Sequence, residues 1–302
     1  MRDAMRRFLL RRMLYVARAV LAHDPTPAQI RRVAARIAPL IARRESYLAS
    51  ESFAIGACRA RWIEPSDAAT GSVVLYLHGG AFVAEAREIH DPLLAAIGRA
   101  GAARGLMVDY RLAPEHPFPA ALEDCYAAWN FLLSSGIDPG RIVIAGDSAG
   151  GNLAVVTAMR ARDEGMPQAA GLVLLSAVLD WTFSGDSIQR NDGLDPLFRG
   201  STVNCLEPYY GKGVDPRDPR LSPLFGNLAD LPPALLMVGS TELLLDDSVR
   251  YAMRAPGSAL RIWHDMPHVF PAMRGLAAGD RAIREIGEFI RERTAAATAG
   301  AT

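Results

Sequence analysis

The chain has little cysteine: Cys58, Cys125 and Cys205 are the three among 302 residues, and none lies near another. An odd, scattered set excludes a disulfide framework as the organising principle and points to a reducing compartment. Net charge is also missing. Lys plus Arg and Asp plus Glu both number 33, which gives no support to nucleic-acid binding or to a polyanionic substrate. No stretch reaches about 18 apolar residues without charge, so no segment reads as a membrane-spanning helix. The arginine-rich start contains Phe8-Leu9-Leu10, but Arg11, Arg12 and Arg18 interrupt it and no signal-type apolar core follows. A Gly-Ser linker and internal repeats are absent too. The expectation is a cytoplasmic protein built as one large α/β domain with a small accessory element.

What is present is apolar: half of the residues are hydrophobic, ample for a core. Residues 3–21 and 28–46 read as helices broken by Asp24, Pro25 and Pro27, with Thr26 or Pro27 where the second starts. Such a basic amphipathic pair suits a membrane surface, though packing over the body of the protein is the plainer expectation. Strands are expected over 53–63, 72–77, 105–108, 141–145, 171–175, 234–238 and 260–263. Helices are expected over 89–102, 120–133, 152–162 and 282–290. Apolar strands alternating with helices predict a mostly parallel sheet covered on both faces, with functional residues at the strands' carboxyl ends. The interval 180–233 fits no sheet, and a partly helical excursion centred on residues 198–210 is expected there.

Gly146-Asp147-Ser148-Ala149-Gly150-Gly151 directly follows a strand and opens a helix. A serine on a sharp strand-to-helix turn, flanked by small residues that let the two elements approach, is a nucleophile elbow. Ser148 then needs a base, an acid to orient that base, and donors for an oxyanion. Six histidines are available: His23, His78, His90, His116, His264 and His268. His23 and His90 sit in helix-flanking or surface-like contexts without a supporting motif. His268 lies in a loop beyond the last strand and is the expected base, with His264 its nearest rival. The acid should fall between serine and histidine, and Glu242 follows the strand 234–238. Asp246 is the runner-up, since it and Asp247 suit the start of the next helix. Gly79 and Gly80, after His78 at a strand end, and Ala149, after the nucleophile, offer backbone N–H groups for an oxyanion. Phe82, Trp181 and Phe183 are candidates for an apolar acyl or alcohol pocket.

His78-Gly79-Gly80, Asp109-Tyr110-Arg111-Leu112-Ala113-Pro114-Glu115, and the Gly146 to Ala154 run, followed by the late acid and histidine loops, span 78–268. In that order the chain resembles the hormone-sensitive-lipase-like branch of α/β-hydrolases, the bacterial family IV esterases. The resemblance implies an α/β-hydrolase fold: an eight-stranded, mostly parallel sheet with one antiparallel strand, flanking helices and an N-terminal helical cap. It also implies hydrolysis of a small-molecule carboxylic ester with no metal or organic cofactor, and it allows a homodimer through a sheet edge. The nucleophile falls on Ser148, the base on His268, and the oxyanion donors on Gly79, Gly80 and Ala149. Where the family commonly has Asp-Pro-Leu-x-Asp, this chain has Glu242-Leu243-Leu244-Leu245-Asp246, so the acid departs from the common pattern. The run 109–115 would be a scaffold for the active-site floor. Residues 1–50 would form a cap region and 51–302 the hydrolase domain, with the excursion at about 181–225. Lactone hydrolysis, deacetylation and amide cleavage would use the same residues, and a non-catalytic binding protein would not need the complete set.

Overall fold

A computed structural model describes residues 2–21, 24–66, 71–201 and 208–299 of the chain. His23 and Cys205 therefore lie outside the described residues. Two helices come first, α1 (Arg2–Val20) and α2 (Pro27–Ile41). Thr26 fixes the start of α2: its hydroxyl accepts from the Gln29 N–H at 3.3 Å, while the Gln29 side chain accepts from the Thr26 N–H at 2.8 Å. Pro27 occupies the first turn, where a missing N–H costs nothing. The helix stops at Ile41, short of the expected 46. Ala42 turns extended and bridges Met273, and the Arg43 N–H donates to the Ala272 carbonyl at 3.0 Å. Tertiary pairing here overrides helix propensity.

Nine strands form one sheet: β1 (Tyr47–Ala49), β2 (Phe53–Ile55), β3 (Cys58–Pro65), β4 (Ser72–Leu77), β5 (Ala103–Asp109), β6 (Ile142–Asp147), β7 (Gly171–Leu175), β8 (Ala234–Gly239) and β9 (Ala259–Trp263). Their order is β1-β3-β5-β4-β6-β7-β8-β9, with β2 also paired to β3. The neighbours from β5 to β9 are parallel, and β3 runs against β5, β1 and β2. The single strand expected over 53–63 is split at Gly56, whose φ of 57° makes a tight turn between β2 and β3. That split and the short β1 raise the seven strands read from the sequence to nine, where the resemblance implied eight.

The remaining helices are α3 (Arg87–Gly101), α4 (Ala120–Ser134), α5 (Ala149–Asp163), the one-turn α6 (Ser187–Arg190), α7 (Leu245–Arg254) and α8 (Ala277–Ala299). Side chains alternate across the sheet as the period of two requires. Val73, Leu75 and Leu77 of β4 join the core under α4 and α5, whereas Val74 and Tyr76 join the one under α3 and α8. The central strands are buried on both faces, which explains why they read as continuous apolar runs.

Because β4, β6, β7 and β8 run in parallel, their carboxyl ends open on one edge, delivering His78, Ser148, Ser176 and the loop after Gly239 together. The excursion at 180–233 is mostly turns, with α6, 3-10 residues at 200–201 and a 3-10 turn at Pro223–Phe225 as its described helical parts. Residues 202–207, within the expected helical centre, lie outside the described residues. Buried carboxylates pin its turns: Asp180 holds Thr182 and Ser184, and Asp195 accepts from the backbone of Leu197 at 2.8 Å and Phe198 at 3.0 Å.

Candidate active site

Ser148 sits between β6 and α5 with φ 52° and ψ −115°, a conformation that costs an L-residue roughly 1–3 kcal/mol. Its backbone is over-determined. The Ser148 N–H donates to the Leu175 carbonyl at 2.8 Å, and its own carbonyl accepts from Asn152 and Val178, each at 3.2 Å. Asn152 extends this clamp, its side-chain amide donating at 2.8 Å to the carbonyls of both Val178 and Leu221. At Gly150 a Cβ would strike the Leu77 carbonyl, so the small residues after the serine let α5 press against the end of β4.

His268 Nδ1 lies 2.8 Å from Glu242 Oε2, with the histidine 5% exposed and the acid fully buried. An ionised carboxylate only accepts, so Nδ1 carries the proton and Nε2 is left as the basic nitrogen. The other oxygen of Glu242 accepts from the Gly239 N–H at 2.5 Å and from the Ser176 hydroxyl at 2.9 Å. Ser176 in turn accepts from the Val269 N–H at 3.1 Å, so one hydroxyl ties the acid to the loop carrying the base. Burial pulls the His268 imidazole down, but the hydrogen bond and charge of Glu242, with Asp195 and Asp147 farther off, outweigh it and hold the pKa above its ordinary value. Among the described residues, no hydrogen bond joins Ser148 Oγ to His268, a bond that commonly tightens only when substrate arrives.

The rivals are placed elsewhere. Asp246 accepts from the Ser187 N–H at 2.8 Å and from Arg190 at 3.0 Å, binding α6 to α7 and not reaching the histidine. Asp247 is buried against the backbone of Leu179 and Asp180. His116 and His264 are exposed. His90 departs from its surface-like expectation: it is 5% exposed, in the first turn of α3, with Nε2 3.4 Å from Asp147 Oδ2. Burial works against its proton, and the charge of Asp147 outweighs that, raising its pKa.

Asp147 also corrects the oxyanion set. Its Oδ1 accepts from the Tyr76 hydroxyl at 2.8 Å and from the Gly79 N–H at 3.0 Å, so Gly79 is spent on holding the loop and is no free donor. Among the described residues, the backbone N–H groups of Gly80, Ala81 and Ala149 donate to no protein acceptor. Gly80 has φ 115°, which glycine alone adopts readily, and its carbonyl closes the turn by accepting from Val83 and Ala84. His78 shapes this loop: Nδ1 is 2.7 Å from the Gly79 carbonyl, and its ring stacks on Tyr110 at 4.2 Å. Burial, with His90 close by, drives His78 down to about 4, so it is neutral near pH 7.

Ser148, His268, Gly80 and Ala81 share one apolar cavity of about 200 Å³. Its other walls include Leu14 and Ala17 of α1, Leu21 just after it, Ile30, Val33, Ala34 and Ile37 of α2, and Phe198, whose ring meets His268 edge-on at 4.9 Å. The expected pocket residues do not line it. Phe82 is fully buried and stacked on Tyr210 at 4.0 Å, with Trp181 at 5.5 Å and Phe183 beyond Trp181 at 6.4 Å, so the three form an aromatic core cluster. The tight turn after Gly80 turns Phe82 into that core. Ser176 had a signal in the sequence, since it ends an apolar strand. Asp195 and Phe198 had none, because only folding returns the excursion to the site.

A family model described as the α/β-hydrolase fold matches residues 74–272. An acetyl-hydrolase of Streptomyces hygroscopicus is 38% identical over 245 residues, 80% of this chain and 82% of that protein. A crystal structure of an esterase from the bacterial hormone-sensitive lipase family is 36% identical, covers 95% of this chain and 98% of its own, and superposes with a TM-score of 0.89. An esterase/lipase from an uncultured bacterium gives 36% identity, 96% and 98% coverage and a TM-score of 0.88. With a family model spanning most of the chain and near-complete structural overlap, the chain belongs to the bacterial hormone-sensitive-lipase family of α/β-hydrolases.

Proposed function

We propose that the chain is a carboxylesterase that hydrolyses short, apolar esters through an acyl-enzyme on Ser148, with α1 and α2 acting as the cap. The observation that carries this reading is the convergence of the strained Ser148 and the buried His268–Glu242 pair on one apolar cavity. Ser148 Oγ attacks the ester carbonyl while His268 Nε2 takes its proton. The developing oxyanion meets the N–H groups of Gly80, Ala81 and Ala149, which are aimed before charge appears and need no reorganisation. His268 then protonates the leaving alcohol, and the same nitrogen activates water to release the acid. Glu242 keeps the imidazole in the productive tautomer and stabilises the imidazolium without taking its proton.

The cavity of about 200 Å³ is smaller than the roughly 300–1,000 Å³ of sites for drug-sized ligands, which suits a short acyl group. The acetyl-hydrolase relative points the same way. The test is a chain-length series of aryl esters against the wild type and Ser148→Ala. Expected is turnover greatest for the shortest chains, and a loss of roughly a millionfold in the variant with its unfolding temperature kept. Activity retained in Ser148→Ala would reject the nucleophile, and a folded wild type that turned over no ester would reject the reading.

A further inference from the structure

The helix α1 is apolar on two opposite sides. Its inner stripe is used: Leu14 and Ala17 are each 1% exposed and wall the cavity. Its outer stripe repeats at three- and four-residue spacing through Met5, Phe8, Leu9, Arg12, Val16 and Val20, with Phe8 53%, Leu9 54% and Val16 66% exposed. A helix that has already buried one face gains nothing in folding from large apolar groups on the other, and such a stripe marks an interaction surface.

Charge identifies the partner. Between residues 4 and 44 the sequence has ten arginines and one carboxylate, Asp24, although the whole chain is neutral. Some of these guanidiniums have internal work: Arg11 pairs with Asp265, Arg18 with Asp192, Arg31 with Glu115 and Arg43 with Asp280. Arg6, Arg12, Arg32, Arg36 and Arg44 are exposed and have no carboxylate partner among the described residues. Arg12 lies over the Phe8 ring at 5.2 Å, so cation and apolar anchor share one patch. On α2, Arg32 and Arg36 lie away from its cavity-lining residues Ile30, Val33 and Ile37.

We infer that this outer face docks on an anionic phospholipid surface. Apolar side chains enter the boundary between headgroups and acyl chains, and the unpaired arginines meet lipid phosphates, the combination an interfacial helix needs. A second copy docking through the same face would set like charges against each other. Because the inner sides of the same helices wall the catalytic cavity, docking holds that cavity about one helix diameter, roughly 10 Å, from the lipid.

The test is co-sedimentation of the full chain with vesicles of phosphatidylcholine alone or containing phosphatidylglycerol, at low and high salt. The wild type should pellet with the anionic vesicles, stay in solution with the zwitterionic ones, and be released by salt. Arg12→Glu and Arg36→Glu should each weaken vesicle binding by at least about fivefold, and Phe8→Ser with Leu9→Ser should weaken it with all arginines in place. None of these side chains lines the cavity, so hydrolysis of a soluble short ester should persist in every variant and reports failure of the esterase reading separately. The inference is overturned by binding to neither vesicle, by equal binding to both, or by variants that bind like the wild type. A dimer in light scattering that Phe8→Ser dissolves, without vesicle binding, would assign the face to a second copy instead.

Discussion

Replacing Glu242 by Gln changes one group while keeping its shape. The amide oxygen can still accept from the Gly239 N–H and the Ser176 hydroxyl, which now hold Glu242 at 2.5 and 2.9 Å. The unfolding temperature should therefore stay close to that of the wild type. What is lost is the charge 2.8 Å from His268 Nδ1 and the guarantee that Nδ1 is the protonated nitrogen. For an orienting acid in a serine triad the loss in kcat is about 10⁴, or about 5 kcal/mol of transition-state stabilisation. The pH profile adds a signature. His268 must be neutral to act as base, and the hydrogen bond and charge of Glu242 raise its pKa against the lowering by burial. Without Glu242, burial prevails, so the acid limb of kcat/KM should move to lower pH even as the plateau falls. Steady-state kinetics on a short aryl ester across the acidic range, with Asp246→Asn in parallel, reads both quantities. An acid limb that stayed or moved upward, a loss below tenfold, or a larger loss in Asp246→Asn would refute Glu242 as the acid.

Ser176→Ala leaves the buried Val269 N–H without its acceptor and Glu242 without one donor, so about 1–3 kcal/mol of stability and at least tenfold in kcat should go, with KM little changed, in denaturant and kinetic assays. Ala34→Phe intrudes on the cavity of about 200 Å³ and should cut kcat/KM for longer acyl chains by about tenfold or more per blocked methylene while sparing acetate. Phe183→Ala, in the aromatic core cluster, should leave the chain-length profile unaltered, and a shifted profile would return that residue to the pocket. Burial pushes the Asp247 carboxyl up to about 7, against two backbone donors. Between its ordinary value of about 3.9 and about 7 the unfolded chain has released a proton that the fold retains, so stability should fall as pH rises through that window. Thermal unfolding followed from about pH 4 to about pH 7 should show this slope in the wild type and a flatter one in Asp247→Asn.

The strands that build the floor were legible because each is buried on both faces and reads as an unbroken apolar run, and the parallel order then places their following residues on one edge. That logic named Ser148, Glu242 and His268, and in the structure Glu242 hydrogen-bonds His268 while Ser148 and His268 line one cavity. It failed for the oxyanion loop, where Gly79 looked as free as Gly80 until the carboxylate of Asp147 was seen to occupy its N–H. It failed again for the pocket: Phe82, Trp181 and Phe183 have the right chemistry for a substrate wall, but aromatic side chains serve a core equally well, and turn geometry decided between the two.

By itself the sequence determined most of the elements and nominated the candidate reacting groups, because periodicity, glycine spacing and strand ends are local properties. The tertiary structure decided everything that depends on which groups meet. It put Ser176 between the acid and the loop of the base, returned Asp195 and Phe198 from the excursion to His268, and closed the cavity with α1 and α2. Those contacts join residues far apart along the chain, and no local pattern encodes a distance that only the closed sheet and its packed helices create.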